Sequence, residues 1–143
     1  FCESMKCQLS DEALVEAAGS QFTLNVELVP VVTQLAAANR RMGILSNTCE
    51  AHWKYCADTR FTVLRTAFDV AVLSYSVHAM KPDPEIYVKA AEMAGSAPVE
   101  IFFTDDRAEN VEGARACGFD AVQYTTTPKL VAALRERGVE FNY

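Results

Sequence analysis

The chain has 143 residues, enough for one domain with one core, and half of them are hydrophobic, which excludes a disordered chain. Thirteen Lys and Arg against nineteen Asp and Glu leave a net charge of −6, which speaks against a nucleic-acid surface. No apolar run approaches the roughly 20 residues of a membrane span. The five cysteines are odd in number and form no Cys-x-x-Cys pair. Neither a zinc site nor a disulfide framework is therefore expected, and reduced thiols in the cytoplasm are the default.

Residues 1–10 offer no clear element. Their start has neither a signal-peptide layout nor a methionine at position 1, so a segment upstream is expected to have been removed or left unrecorded. Ser10 can cap a helix over Asp11–Ala18, with Leu14, Val15 and Ala18 as its apolar face and Gly19 at its end. Residues 19–26 read as a connection. From Glu27 to Asn39, Leu28, Val31, Val32 and Leu35 recur at helical spacing, and Pro30 falls in the tolerated first turn.

Met42-Gly43-Ile44-Leu45 reads as a short strand that runs into Ser46-Asn47-Thr48. Such a polar triplet either binds a phosphate at a helix N-terminus or simply caps the helix that follows. Residues 50–66 read as helix, with Trp53 as a packing contact and His52 beside it at a possible cleft. Cys49 and Cys56 lie seven apart, which suggests a shared packing face. Residues 68–74 form the next strand pattern, and His78 reads as loop or rim.

In Lys81-Pro82-Asp83-Pro84, Pro82 turns Lys81 away from helix, and Asp83 can cap a helix that starts at Pro84. Ile86, Tyr87, Ala90, Ala91 and Ala94 give its apolar face and Gly95 its end. Lys81 is then either a solvated side chain or a cation held beside phosphate and a carboxylate. Ile101-Phe102-Phe103 reads as a buried parallel strand, apolar without alternation. It stops at Asp105-Asp106, and Val111, Ala114 and Cys117 then mark a helix closed by Gly118. The two acids are either a cap with a solvated neighbour or a pair that needs a cation or lysine beside it. A strand near Ala121–Tyr124 and a helix over Thr127–Arg137, ended by Gly138, complete the chain. Strands alternating with helices from residue 42 onward predict a doubly wound parallel α/β sheet. Ligands of such sheets bind at the carboxyl ends of the strands.

Three polar elements thus close three strands in order: Ser46-Asn47-Thr48, Lys81-Pro82-Asp83-Pro84 and Asp105-Asp106. This series resembles the second, third and fourth motifs of the haloacid dehalogenase (HAD) superfamily. The match covers roughly residues 27–138, and the branch most resembled lies near the epoxide-hydrolase N-terminal phosphatase and small sugar phosphatases. The resemblance implies a core over 27–143 and a remnant of a helical cap over 1–26. It implies a magnesium-dependent phosphatase acting on a small phosphorylated metabolite through an aspartyl-phosphate. Ser46 and Asn47 would bind phosphoryl oxygens, and Lys81 would neutralise the phosphate and the nucleophile. Asp106 would ligate magnesium, Asp105 would hold Lys81 or a metal-bound water, and Asn110 would brace the loop.

One departure stands out. The family's first motif, a strand ending in Asp-x-Asp that carries the nucleophile, has no counterpart in residues 1–41. That strand is central in the family, between those ending at Ser46 and Asp105. Burying about five apolar side chains at ~1.5–3 kcal/mol each, it would contribute on the order of 10 kcal/mol, comparable with a whole domain's stability. The expectation is the carboxyl-terminal part of a longer enzyme, inactive alone, or a gap filled by a rearranged sheet, a partner strand or a second copy. The alternatives are a 2-haloacid dehalogenase, against which the doubled carboxylate counts, and a non-catalytic relative that binds phosphorylated ligands or a partner.

Overall fold

A computed structural model describes residues 13, 16, 17 and 19–142. Residues 1–10 and most of the helix expected over Asp11–Ala18 lie outside the described residues. A 3-10 turn at Val26–Leu28 leads into helix α1, Val29–Ala37, and the Asn25 side chain accepts the Glu27 N–H to cap the turn. Strand β1 is Gly43–Ser46, helix α2 is Glu50–Lys54, and strand β2 is Val70–Leu73. Helix α3 is Pro84–Ala94, strand β3 is Phe102–Asp105, and helix α4 is Ala108–Ala116. Strand β4, Asp120–Gln123, and helix α5, Thr127–Glu136, follow. Gly95 ends α3 at φ +60°, where an L side chain would be strained.

Two local expectations are corrected. The helix expected over 50–66 is broken: α2 widens into a π-helical segment, Tyr55–Arg60, stops at Phe61, and resumes as one turn at Val63–Thr66. Thr59, Phe61 and Thr62 are weak helix formers, so propensity does not carry the helix through. Cys49 is accordingly an exposed residue ahead of α2, while Cys56 is partly buried in the π segment, and the two share no packing face. The second correction is a helical turn at Ser74–Val77 that directly follows β2.

The strands make two parallel pairs. Gly43–Ser46 lies in register with Val70–Leu73, and Phe102–Asp105 with Asp120–Gln123. Among the described residues no strand joins the pairs, yet they share one core. Leu45, Val70, Val72, Phe103 and Ala121, one or more from every strand, meet Ile86, Tyr87, Val111 and Ala114 of α3 and α4. Phe102 turns the other way, against Val31 of α1 and Leu130, Val131 and Leu134 of α5. Helices therefore cover both faces, as in a doubly wound fold. The expected α/β class holds, and so does the expected lack of a central strand, among the described residues. Burial differs between the paired strands: β2 holds buried Val72 and Leu73 and β4 holds buried Ala121 between exposed Asp120 and Gln123, whereas β1 and β3 hold no fully buried residue. The inner strands of a parallel sheet are normally its most covered. Here β1 and β3 are largely half-buried, and among the described residues no strand pairs with their second edges. No helix among the described residues is long and apolar enough to cross a membrane.

Candidate active site

The site lies at the carboxyl ends of β1 and β3, where the backbone leaves the sheet. Lys81 enters from the loop ahead of α3. Its Nζ donates to the Leu45 carbonyl at 2.7 Å and to Asp105 Oδ2 at 2.5 Å, so one ammonium ties β1 to β3. The two side chains are 9% and 7% exposed, which makes this a buried ion pair. Desolvating two charges is costly, and the pair is tolerable because its remaining bonding capacity is used. The other Asp105 oxygen accepts the Arg107 backbone N–H and the Asn110 Nδ2, each at 2.9 Å. Burial works to raise the Asp105 carboxyl. The bonds from Lys81, Arg107 and Asn110, with the Lys81 charge, outweigh it and hold the group below the ordinary carboxylate value.

Asn47 lies on the other side of Lys81. Its Nδ2 donates to the Lys81 carbonyl and its Oδ1 accepts the Lys81 N–H, both at 2.8 Å. The side-chain amide thus pairs with a peptide 34 residues away and locks the lysine loop to the end of β1. Ser46 closes β1, half-buried, opposite Leu73. The Ser74 hydroxyl donates to the Thr48 carbonyl and accepts the Thr48 N–H, both at 2.9 Å, and so fixes the same loop to β2. Asp106 is exposed, and its carboxylate has no protein partner among the described residues. Its carbonyl accepts Gln123 Nε2 at 2.7 Å.

The structure therefore brings Asn47, Lys81, Asp105 and Asn110 into one hydrogen-bonded group, with Ser46 and Asp106 at its border. Asp105 is the last residue of β3 rather than part of the loop after it. Sequence reasoning missed Ser74, which sits in a turn with no pattern of its own. It also missed Tyr87, read only as core, whose hydroxyl donates to the Asn110 carbonyl at 2.7 Å. His52 faces Phe22, ring centroids 5.0 Å apart. Gly19 lies so close to Tyr55 that a Cβ would fall 2.2 Å from its ring. His78 is an exposed residue at φ 53°, closing the turn after β2.

A buried lysine–carboxylate pair at a strand end, beside a free carboxylate and a serine hydroxyl, can hold an oxyanion and a hard cation. Comparison with known proteins gives this geometry a family. Residues 6–118 match the model of the haloacid dehalogenase-like hydrolases. Phosphatase MT3486 of Mycobacterium tuberculosis is 41% identical over 58 residues, 41% of this chain and 27% of that protein. Bifunctional epoxide hydrolase 2 of Rattus norvegicus is 29% identical over 109 residues, 72% of this chain and 19% of that one. The chain thus spans less than a third of the length of either curated relative. A HAD family enzyme of Bacteroides thetaiotaomicron superposes on 94% of this chain and 68% of its own, at 27% identity and a TM-score of 0.79. The same enzyme, solved with magnesium and inorganic phosphate, superposes with a TM-score of 0.76 over 88% of this chain and 66% of its own. On the family match, this chain belongs to the haloacid dehalogenase-like hydrolases.

Proposed function

We propose that this chain carries the phosphate-facing half of a magnesium-dependent phosphatase for a small phosphorylated metabolite. The observation that carries the reading is Lys81 Nζ, bonded at once to β1 through Leu45 and to β3 through Asp105. The cation then stands at the head of two strand edges that are unpaired among the described residues. An extended segment paired there would end beside that cation, and we assign the nucleophilic aspartate to such a segment. The Bacteroides relative, solved with magnesium and phosphate, supports the choice of phosphoryl chemistry.

In this reading the aspartate attacks phosphorus, the leaving oxygen takes a proton from a general acid on the same segment, and an aspartyl-phosphate forms. Water then attacks that phosphorus, releasing phosphate and restoring the carboxylate. Lys81 offsets the charge on the entering carboxylate and on the phosphoryl oxygens. Ser46 donates its hydroxyl to one of those oxygens. The Asn47 side chain is largely spent on the Lys81 peptide, so its contribution falls to its backbone N–H and its second amide hydrogen. Asp105 keeps Lys81 charged and in place, and Asn110 keeps Asp105 in place. Magnesium, when bound, supplies Lewis-acid neutralisation of the phosphoryl oxygens. The free carboxylate of Asp106 fits it as one hard oxygen ligand. Among the described residues no three His, Cys, Asp or Glu gather around one point. Asp106 would hold the ion together with ligands from water, the phosphate and the segment in the gap, while Asp105 would hold Lys81 or a metal-bound water. Residues 1–26 serve as a cap remnant, a role supported by the seating of Gly19 and Phe22 on Tyr55 and His52. A cytoplasmic setting is supported by the free thiols of Cys49, Cys56 and Cys117.

The test is hydrolysis of p-nitrophenyl phosphate by the 143-residue chain, with and without magnesium. It is repeated with an added extended apolar peptide ending in Asp-x-Asp, and backbone amide shifts of Ser46 and Asn47 are followed during phosphate titration. No turnover is expected from the chain alone, and magnesium-dependent turnover is expected with the peptide. Turnover by the chain alone would overturn the placing of the nucleophile. Unmoved amides at every phosphate concentration would overturn the phosphatase reading.

A further inference from the structure

Helix α4 approaches the lysine loop more closely than a side chain allows. A Cβ on Gly113 would lie 2.8 Å from the Pro82 carbonyl oxygen, 3.0 Å from Tyr87 Cε2 and 3.1 Å from the Tyr87 hydroxyl. Gly113 stands three residues after Asn110, so both occupy one face of α4. That face meets the segment that follows Lys81: Pro82 ahead of α3, and Tyr87 within it. Tyr87 is fully buried. Its hydroxyl donates to the Asn110 carbonyl at 2.7 Å, and its ring stands edge-on to Phe103 and Phe119, with centroids 5.9 and 5.8 Å away. Phe103 in turn lies under Lys81 Nζ, 5.7 Å from its centroid. Buried contacts of this kind transmit displacement, because a close-packed interior has no slack to absorb it.

We infer that Gly113 and Tyr87 are positioning residues that set the spacing between the lysine loop and the carboxylate loop. Gly113 lets α4 close onto Pro82, and Tyr87 fixes how far it closes by holding the Asn110 peptide. Asn110 Nδ2 then presents Asp105 to Lys81. A methyl at Gly113 displaces α4 from Pro82, and loss of the Tyr87 hydroxyl frees the first turn of α4 to rotate. Either change lengthens the Lys81–Asp105 contact, although neither residue touches that pair. The geometric claim stands on the ligand-free molecule. Its consequence for phosphate and magnesium binding rests on the phosphatase reading above.

The experiment compares Tyr87→Phe, Gly113→Ala and the double variant with the wild-type chain, all without ligand. It reads the Asn110 side-chain amide, the Asp105 carboxylate carbon and the Lys81 Nζ proton signals by NMR, beside thermal stability. Each variant is expected to move all three signals and to speed exchange of the Lys81 Nζ protons. The two single changes should be non-additive, because they act on one spacing. Variants that are less stable but keep the three signals at wild-type positions would overturn the inference, since that is what a merely structural role gives. Additive shifts would also overturn it. If Gly113→Ala does not fold, Tyr87→Phe, which keeps the ring, decides alone. Where wild type binds magnesium with phosphate, Tyr87→Phe should bind about tenfold more weakly, in the range seen when outer partners of metal ligands are removed. A wild type that binds neither defeats the phosphatase reading and leaves the ligand-free comparison intact.

Discussion

The strands that end in the site, β1 and β3, are covered differently from their partners β2 and β4. The outer β2 and β4 carry buried residues, while the inner β1 and β3, which end in the site, carry none. In a complete parallel sheet the order would be reversed. Composition does not explain the difference, since Gly43-Ile44-Leu45 and Phe102-Phe103 are as apolar as Val70–Leu73. What differs is the number of neighbours. Among the described residues each inner strand pairs on one edge, and the Lys81 side chain bonds at the head of the other. Lys81 therefore does two jobs: it presents charge to the site and it joins the two halves of the sheet.

The most severe way to break this arrangement is Lys81→Met. Asp105 is left as a buried, uncompensated carboxylate, a loss of about 3–5 kcal/mol. Denaturant unfolding should show it as a lowered midpoint, and hydrogen exchange should show β1 and β3 losing protection before β2 and β4. Equal loss in all four strands would mean that the lysine is not the joint.

A finer test substitutes aliphatic residues on either side of the divide. Leu73→Ala, at a buried outer position, should cost about 2–5 kcal/mol through lost burial and an unfilled cavity. Ile44→Ala, at a half-exposed inner position, should cost about 1 kcal/mol, because less surface is covered and water fills the space. The same denaturation assay reads both. Equal losses would show that β1 is covered as well as β2, and the contrast would fail.

The smallest effect concerns pH. Asp105 is held below its ordinary value, so it contributes stability that is complete above the unfolded carboxyl value near 3.9. That contribution fades as pH falls from there through the depressed folded value. Stability measured between about pH 5 and pH 2 should therefore fall more steeply for wild type than for Asp105→Asn, which has no such group to protonate. Parallel curves would mean that other carboxylates dominate acid unfolding.

The strand ends at Ser46 and Asp105 were legible because each is an apolar run stopped by polar residues, a pattern that needs no knowledge of distant contacts. Lys81-Pro82-Asp83-Pro84, by contrast, closes no strand: β2 ends at Leu73, and the helical turn Ser74–Val77 comes between. The helix start at Pro84 was legible from Pro punctuation, and the helices near residues 27–39 and after Asp106 were legible from helical spacing, although the first begins as a 3-10 turn before Val29. The break within residues 50–66 was not, because a weak run of helix formers looks continuous until packing selects where it bends. Ser74, Tyr87 and Gly113 were also hidden. A serine after a strand, a tyrosine on an apolar helix face and a glycine inside a helix carry no signal until their neighbours are known. The pairing of the Asn47 amide with the Lys81 peptide joins residues 34 apart. No local pattern encodes it.

By itself the sequence determined the α/β class, the order of the elements and the set of polar residues that cluster, because hydrophobic periodicity and chain-breaking residues act locally. It also raised the expectation of a missing central strand, since no apolar run in residues 1–41 ends in the needed acids, and among the described residues no strand joins the two pairs. Only the tertiary structure decided that the sheet divides into two parallel pairs held by one buried ammonium. It alone showed that Asp105 spends both oxygens on protein donors while the Asp106 carboxylate has no protein partner among the described residues, and that Gly113 and Tyr87 stand where α4 meets the lysine loop. Those outcomes depend on which groups meet across the core and how closely, and such distances are set by packing among segments remote in the chain.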